Sequence, residues 1–281
     1  MELRELAQRI SEVAQEAGKY TLQEQVKPHD LDNNLEFGTE AKFNAEVDDK
    51  LVKYLETNLY AIDPFDGNWW GRPEEVEPGQ RFWCVGGIDG GINYMRNMPE
   101  WTVTVCLFEV NEERSARPIA SVVNAPALGL TYMAARDHGA IRVRKTGLGD
   151  KHENIMPSMT AHLDGSVVSY GMSYRPEESK HALEIVGQIA GLPADIKRVG
   201  PASLDMCKVA DGTYDAYFEP HLHSWDVPAV SAGGLVIREA QGYLRRWDGD
   251  HIHWRRDNDV VATNGLINDD LIPYLKSYWR D

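Results

Sequence analysis

Apolar positions at the start of the chain recur in steps of three and four: Leu3, Leu6, Ala7, Ile10, Val13, Ala14 and Ala17. That spacing puts one apolar stripe along a helix, with Gly18 as its expected stop. From Gln23 to Glu40 the pattern loses its period and reads as loop. A second helix is predicted from near Asp48, carried by Leu51, Val52, Leu55 and Leu59. It should end before Pro64, because the residue preceding a proline is biased away from helix. Residues 63–80 are rich in Pro, Gly and Trp and carry Trp69, Trp70, Arg72, Glu74 and Glu75. Such a segment reads either as a functional lid or pocket wall, or as a loop stapled down by its tryptophans.

The period then shortens to two. Thr102–Val110, Pro118–Val123 and Leu130–Ala135 read as strands of an antiparallel meander, broken at Asn124-Ala125-Pro126 and at His138-Gly139. A polar connection leads to a strand at Ser166–Tyr170 and a helix at Ser179–Ala190. The last third alternates. Strands are predicted at Asp195–Val199, Tyr214–Glu219, Tyr243–Trp247 and Val260–Thr263, and helices at Ser203–Ala210, Asp226–Ala240 and Leu266–Tyr278. Early helices, a meander and then alternation imply an α/β (α+β) chain of layered sheets and helices in two lobes.

Composition narrows the partners. A formal charge of −15 argues against general binding to nucleic acid or to anionic membrane, though a local pocket of N–H groups can still hold a phosphorylated ligand. No run approaches the roughly 20 apolar residues of a membrane helix. Met1-Glu2-Leu3-Arg4-Glu5 is too charged to begin a secretory signal. Cys84, Cys106 and Cys207 lie far apart in apolar contexts, as reduced buried thiols do. The expected setting is cytoplasmic, with a small molecule as ligand.

Candidate chemistry concentrates in Cys84-Val85-Gly86-Gly87-Ile88-Asp89-Gly90-Gly91-Ile92-Asn93-Tyr94, the end of an apolar strand running into a glycine-rich turn that holds one acid. A helical turn after it would leave the N–H groups of Gly90 and Gly91 free to bind an anion. Asp48 and Asp226 are two further acids expected at helix starts, where carboxylates are favoured for structural reasons alone.

The order of these motifs resembles the inositol monophosphatase family, a magnesium-dependent group of small-molecule phosphatases. The family's central Asp-Pro-Ile-Asp-Gly-Thr-x-Asn-Phe is matched by Gly86-Gly87-Ile88-Asp89-Gly90-Gly91-Ile92-Asn93-Tyr94. Ile119–Pro126, Tyr132–Ala135 and Arg198–Cys207 are similar to its downstream context. Its Trp-Asp and Glu-Ala-Gly-Gly signatures correspond to Trp225-Asp226 and Glu239-Ala240-Gln241-Gly242. The resemblance implies one layered αβαβα sandwich domain over residues 1–281, with approximate lobes 1–160 and 161–281, and a homodimer. It also implies that Glu219 contacts a substrate hydroxyl; His223 stands where family members can also carry His, which favours packing over catalysis, and it is taken as a candidate substrate-binding residue.

The family's bridging acid is Gly86 here, its water-orienting threonine is Gly91, and its Gly-Glu-Glu position falls near Gly71-Arg72-Pro73, with Glu74 and Glu75 close by. Three readings follow. In one, the magnesium centre is dismantled and no cofactor, or one weakly held Mg²⁺, is needed. Asp89, Asp226 and Asp48 then serve as acid and base on a small polar metabolite bound at Gly90, Gly91, Glu219 and His223, because crowded carboxylates acquire split pKa values. In the second, Asp89, Asp226 and Glu74 or Glu75 hold Mg²⁺ in a phosphomonoesterase of inositol or sugar phosphates. In the third, the chain binds without catalysis.

Overall fold

The computed structural model describes residues 1–27, 42–62, 67–71, 76–173, 175–254 and 258–277. Two sheets alternate with three layers of helix. The first sheet is antiparallel throughout, in the order β1 (Arg81–Val85), β2 (Val103–Val110), β3 (Ala116–Ala125), β4 (Leu130–Ala135), β5 (Ala140–Thr146) and β6 (Gly149–Asn154). The second is mixed, in the order β10 (Tyr243–Arg245), β11 (Asn258–Thr263), β9 (Ala216–Leu222), β7 (Val167–Tyr170) and β8 (Asp195–Lys197). Within it, β7 runs parallel to both β8 and β9.

Helices α1 (Leu3–Gln25) and α2 (Lys42–Ile62) cover one face of the first sheet. Helices α5 (Ala202–Ala210) and α6 (Val227–Glu239) fill the space between the sheets. Helices α4 (Pro176–Ile189) and α7 (Asn268–Lys276) close the outer face of the second. This is the five-layer α-β-α-β-α order that the resemblance implied. Burial on both faces explains the apolar runs of the meander. Along β2, Val103, Val105 and Leu107 pack under α1 and α2, while Cys106, Phe108 and Val110 pack toward α5 and α6. An antiparallel strand with one wet face would have alternated apolar with polar.

Three local expectations are corrected. Gly18 does not stop α1, which continues to Gln25. A Cβ at Gly18 would lie 2.2 Å from Asn124 Oδ1, so this glycine permits close packing of helix on sheet. Helix α2 begins at Lys42, which puts Asp48 inside the helix rather than at its start. The polar connection expected between Leu130–Ala135 and Ser166 contains both β5, which buries only Ala140 and Val143, and β6, whose residues are almost all exposed; strands with so little buried face leave no apolar alternation to read. In the 63–80 segment, Trp70 stacks on Phe108 with centroids 4.4 Å apart and meets the edge of Phe82. The tryptophan therefore staples its loop to the sheet. All three cysteines are free and buried, as expected, and burial holds their thiols well above the usual range.

Candidate functional site

The glycine turn leaves β1 and enters a short helix, α3 (Gly91–Met95). Gly90 sits at φ +89°, a region open to glycine, and a Cβ there would lie 3.1 Å from the Glu100 carbonyl oxygen. The turn is held from three sides. Asp89 exchanges two backbone hydrogen bonds with Thr102, at 3.0 and 2.9 Å. The Asn93 amide nitrogen donates to the carbonyls of Glu100 and Val199, at 2.7 and 3.0 Å. From α1, the Gln25 side chain donates to the carbonyls of Tyr94 and Met98 and accepts from the Trp101 indole.

Asp48 reaches the turn from α2, its Oδ1 accepting the Ile88 N–H at 2.8 Å. A Cβ on Gly87 would stand 2.4 Å from the Asp48 Cγ, so that glycine makes the room this carboxylate occupies. Gly86 faces Pro228 of α6, and a Cβ there would lie 3.2 Å from the proline Cβ and Cγ. The space beside Gly86 is thus partly filled by the proline ring.

Asp89 and Asp226 come together across the layers. Asp89 Oδ2 accepts the Ser203 N–H of α5 at 3.1 Å, and the Ser203 hydroxyl is 2.7 Å from Thr102 Oγ1. Asp226 stands in a 3-10 turn ahead of α6, where its Oδ2 accepts the His223 N–H at 2.8 Å in a capping box. Burial is the main force raising Asp89, opposed by the Ser203 bonds. Burial also raises Asp226, to about 6, and the charge of Asp89 adds to it against the pull of the His223 amide.

Behind them Glu219 is nearly buried, with the Tyr217 hydroxyl donating to its Oε2. Burial, then the Asp226 charge, pushes Glu219 up furthest of the three, to about 8, and Arg198 and the Tyr217 bond pull against them. A Cβ on Gly171 would fall 2.4 Å from both the Glu219 carboxyl and the Tyr217 hydroxyl, so this glycine permits the pair. Asp205, fully buried on α5, is raised to about 6, chiefly by burial.

His223 Nε2 lies 2.9 Å from Glu178 Oε2 of α4, and its ring stacks on Trp225 with centroids 4.3 Å apart. His221 meets His181 of α4 at 3.1 Å. The histidines are packed into the wall beside the acids. The structure therefore puts Asp89, Asp226 and Glu219 within electrostatic reach of one another, with Asp48 bonded to the glycine turn and the His223 N–H bonded to Asp226. Glu74 and Glu75 lie outside the described residues.

Sequence reasoning missed Ser203, Tyr217, Gly171 and Glu178, and it gave Arg198 no role. Ser203 and Arg198 stand inside a run that resembles the family, so their place in the chain was a usable signal. Nothing in the sequence pointed to Glu178.

The architecture and the acid-lined turn define a phosphatase-like α/β sandwich. A model of the inositol monophosphatase family matches residues 3–280, and the chain belongs to that family. It is 33% identical over 210 residues to a protein of Xylella fastidiosa named Nus factor SuhB, covering 74% of this chain and 70% of that one. It is 30% identical to an inositol-1-monophosphatase of Rhizobium meliloti, covering 74% of each. Among solved structures, an inositol monophosphatase from Anabaena superposes with a TM-score of 0.77 at 22% identity, over 98% of this chain and 96% of that one. SuhB of Mycobacterium tuberculosis gives 0.75 at 23%, over 99% and 98%.

This membership corrects the expectation that no cofactor is needed, since the family's phosphatases work with Mg²⁺. The donors fit such an ion. Asp89 and Asp226 are two carboxylates, both raised by burial, with the Asp89 charge raising Asp226 further, and among the described residues neither is paired with a lysine or arginine. Mg²⁺ is commonly held by one or two carboxylates, with water and substrate phosphate completing its shell. No group of three His, Cys, Asp or Glu side chains among the described residues is gathered closely enough to hold a metal alone.

Proposed function

We propose that the chain is a Mg²⁺-dependent phosphomonoesterase of a small polar phosphate ester, such as an inositol or sugar phosphate, with the ion held by Asp89 and Asp226. The observation that carries this reading is the pair itself: two partly buried acids, each oriented by a backbone N–H, near enough for the charge of Asp89 to raise Asp226. Bound Mg²⁺ supplies charge neutralisation of the phosphate and an activated water.

The chain's own residues do the remaining work. Asp48 and the Ser203 amide fix the turn and the Asp89 carboxylate, so the ligand oxygens need no reorganisation when the ion and phosphate arrive. Glu219 retains its proton near neutral pH and is braced by Tyr217, which suits it to hydrogen-bond a hydroxyl of the leaving alcohol. His223, held by Glu178, shapes the wall beside it. With Gly86 and Gly91 in place of an acid and a hydroxyl, the site works with fewer ions than its relatives and positions water less tightly.

The test is phosphate release from a panel of inositol and sugar phosphates in Mg²⁺, with and without chelator. Release that the chelator stops and that Asp89→Asn abolishes supports the reading; release indifferent to both sinks it. The contact between Gly86 and Pro228 favours a second reading, a binding protein that retains the pocket without turnover. Saturable binding of one of these esters with no release over hours would establish that one instead.

A further inference from the structure

The far end of α6 carries a second concavity that the proposed chemistry leaves unused. A cavity of about 210 Å³ opens between the ends of β2 and β3, the turn after β4 and the last turn of α6. Arg117, Arg136 and Arg238 line it, in a chain whose net charge is −15. Arg245 and His251 stand close by. Burial, followed by the charges of Arg245 and Arg117, lowers Arg238, and His251 is lowered by burial and by all of Arg245, Arg238 and Arg117. Glu239 and Asp250 oppose these shifts, raising Arg238 and His251 respectively, without cancelling them.

The acids in the same cleft are already engaged or turned away. Glu109 is shared between Arg81 and Arg136, at 3.0 and 2.9 Å. Glu239 accepts the Gly139 N–H at 3.1 Å. The Asp137 carboxyl is 91% exposed and approaches Arg136 only to 4.0 Å. Arg117 meets Glu113 no closer than 4.0 Å, and Glu113 is 80% exposed. Among the described residues, Arg238 forms no ion pair. The carbonyls that end α6 would repel an anion if bare, but those of Val236, Ile237 and Arg238 accept the N–H groups of Ala240, Gly242 and Gln241.

Guanidinium groups are suited to oxyanions, which they bind through paired, charge-assisted hydrogen bonds. Size limits the choice. The cavity holds several waters at about 30 Å³ each. It falls short of the roughly 300 Å³ at which drug-sized ligands begin. We propose that this cavity binds a small dianion, phosphate or a short dicarboxylate, between Arg117 and Arg238. The site is separate from the acidic one: α6 has 13 residues, which at 1.5 Å per residue puts its two ends about 20 Å apart.

The test is titration calorimetry of the full chain with inorganic phosphate, and separately with succinate, in the absence of divalent ions. It is run on the wild-type chain, on Asp226→Asn, on Arg117→Gln/Arg238→Gln, and on Arg9→Gln as a remote control. Binding should persist in Asp226→Asn and Arg9→Gln, and weaken at least about tenfold in the double variant, which removes two charge-assisted partners. Preference for phosphate or succinate identifies the ligand. Absence of binding by either anion at millimolar concentration overturns the proposal, as does unchanged affinity in the double variant or loss in Asp226→Asn. A second measurement needs no variant. Phosphate should protect Arg117 and Arg238 of the wild-type chain from phenylglyoxal, read by peptide mass spectrometry, and equal labelling with and without phosphate also overturns it.

Discussion

Helix α6 has opposite chemistry at its two ends. Asp226 precedes its first turn and Arg238 lies in its last, each with the sign that the helix dipole favours there. The dipole contributes only about 0.3–1 kcal/mol per charge, however, and both ends go well past one charge. At the N-terminal end Asp89 and Glu219 join Asp226; at the C-terminal end Arg117 and Arg245 crowd Arg238. Ordinary structural charges come with partners. Both clusters are only partly offset: Arg198 lowers Glu219 at the acidic end, and Glu109, Asp137 and Glu239 share the cleft at the basic end, which leaves a part for ligands to supply. The difference between them is depth. Asp89 and Asp226 are partly buried and braced by backbone N–H groups, and Glu219 is buried against the Tyr217 hydroxyl, whereas the arginines line an open cleft.

The largest effect that would break this comparison is at the acidic end. Asp226→Asn, which preserves shape and removes the charge, should lower Mg²⁺-dependent phosphate release by at least about 100-fold, more than the usual loss for a residue that only supports a ligand. Steady-state rates in saturating Mg²⁺ would measure it, and a loss of only a few-fold would remove Asp226 from ion binding.

Next comes stability. Asp89, Asp226 and Glu219 have folded pKa values above their unfolded ones, as does Asp205. Their protonated forms are favoured by folding, so that stability is fully present below about pH 4, declines as pH rises above that, and is gone once pH has passed the folded values of roughly 6 to 8. Thermal melts without divalent ions should therefore fall over that interval. Mg²⁺ should restore several degrees at pH 8 and much less at pH 5, because an ion present at 100 times its Kd contributes about 2.7 kcal/mol. A Mg²⁺ effect independent of pH would separate the ion from these carboxylates.

Ser203→Ala tests a finer point. It removes a hydroxyl that lowers the Asp89 pKa and leaves the amide in place. Asp89 should then ionise at higher pH, moving the acidic limb of the rate profile upward and costing about two- to tenfold below neutrality, in line with about 1 kcal/mol for one hydrogen bond. An unmoved limb would assign that limb to another group.

The smallest effect is at the basic end. Arg238→Gln should raise stability by a few tenths of a kcal/mol in anion-free buffer, within the usual range for surface substitutions, because it relieves repulsion from Arg117 and Arg245. A denaturant melt showing a clear loss of stability would mean that the arginine cluster is paired after all.

Much of the fold was legible because it rests on periodicity. The stripe from Leu3 to Ala17 and the β-rich run of Thr102–Val110 became α1 and β2. Failures fell where the sequence lacks the relevant contrast. Strand β6 has no buried face, and Gly18 looked like a helix stop because its neighbour in space, Asn124, is distant in the chain. At the site, the acids of the turn and of Trp225-Asp226 could be named from their motifs. Gly171, which makes space for Tyr217 and Glu219, and Glu178, which holds His223, are ordinary residues until folding sets them side by side.

The sequence alone determined the layered α/β class, the family ancestry and the acids at issue, because periodic burial and local turn chemistry are written in adjacent residues. It also carried the glycines at positions 86 and 91. Only the tertiary structure decided what those residues experience: that Pro228 leans on Gly86, that the charge of Asp89 raises the pKa of Asp226, and that three arginines from separate elements share one cleft. Electrostatic and steric effects depend on distance in space, and for these residues that distance is set by packing across the layers.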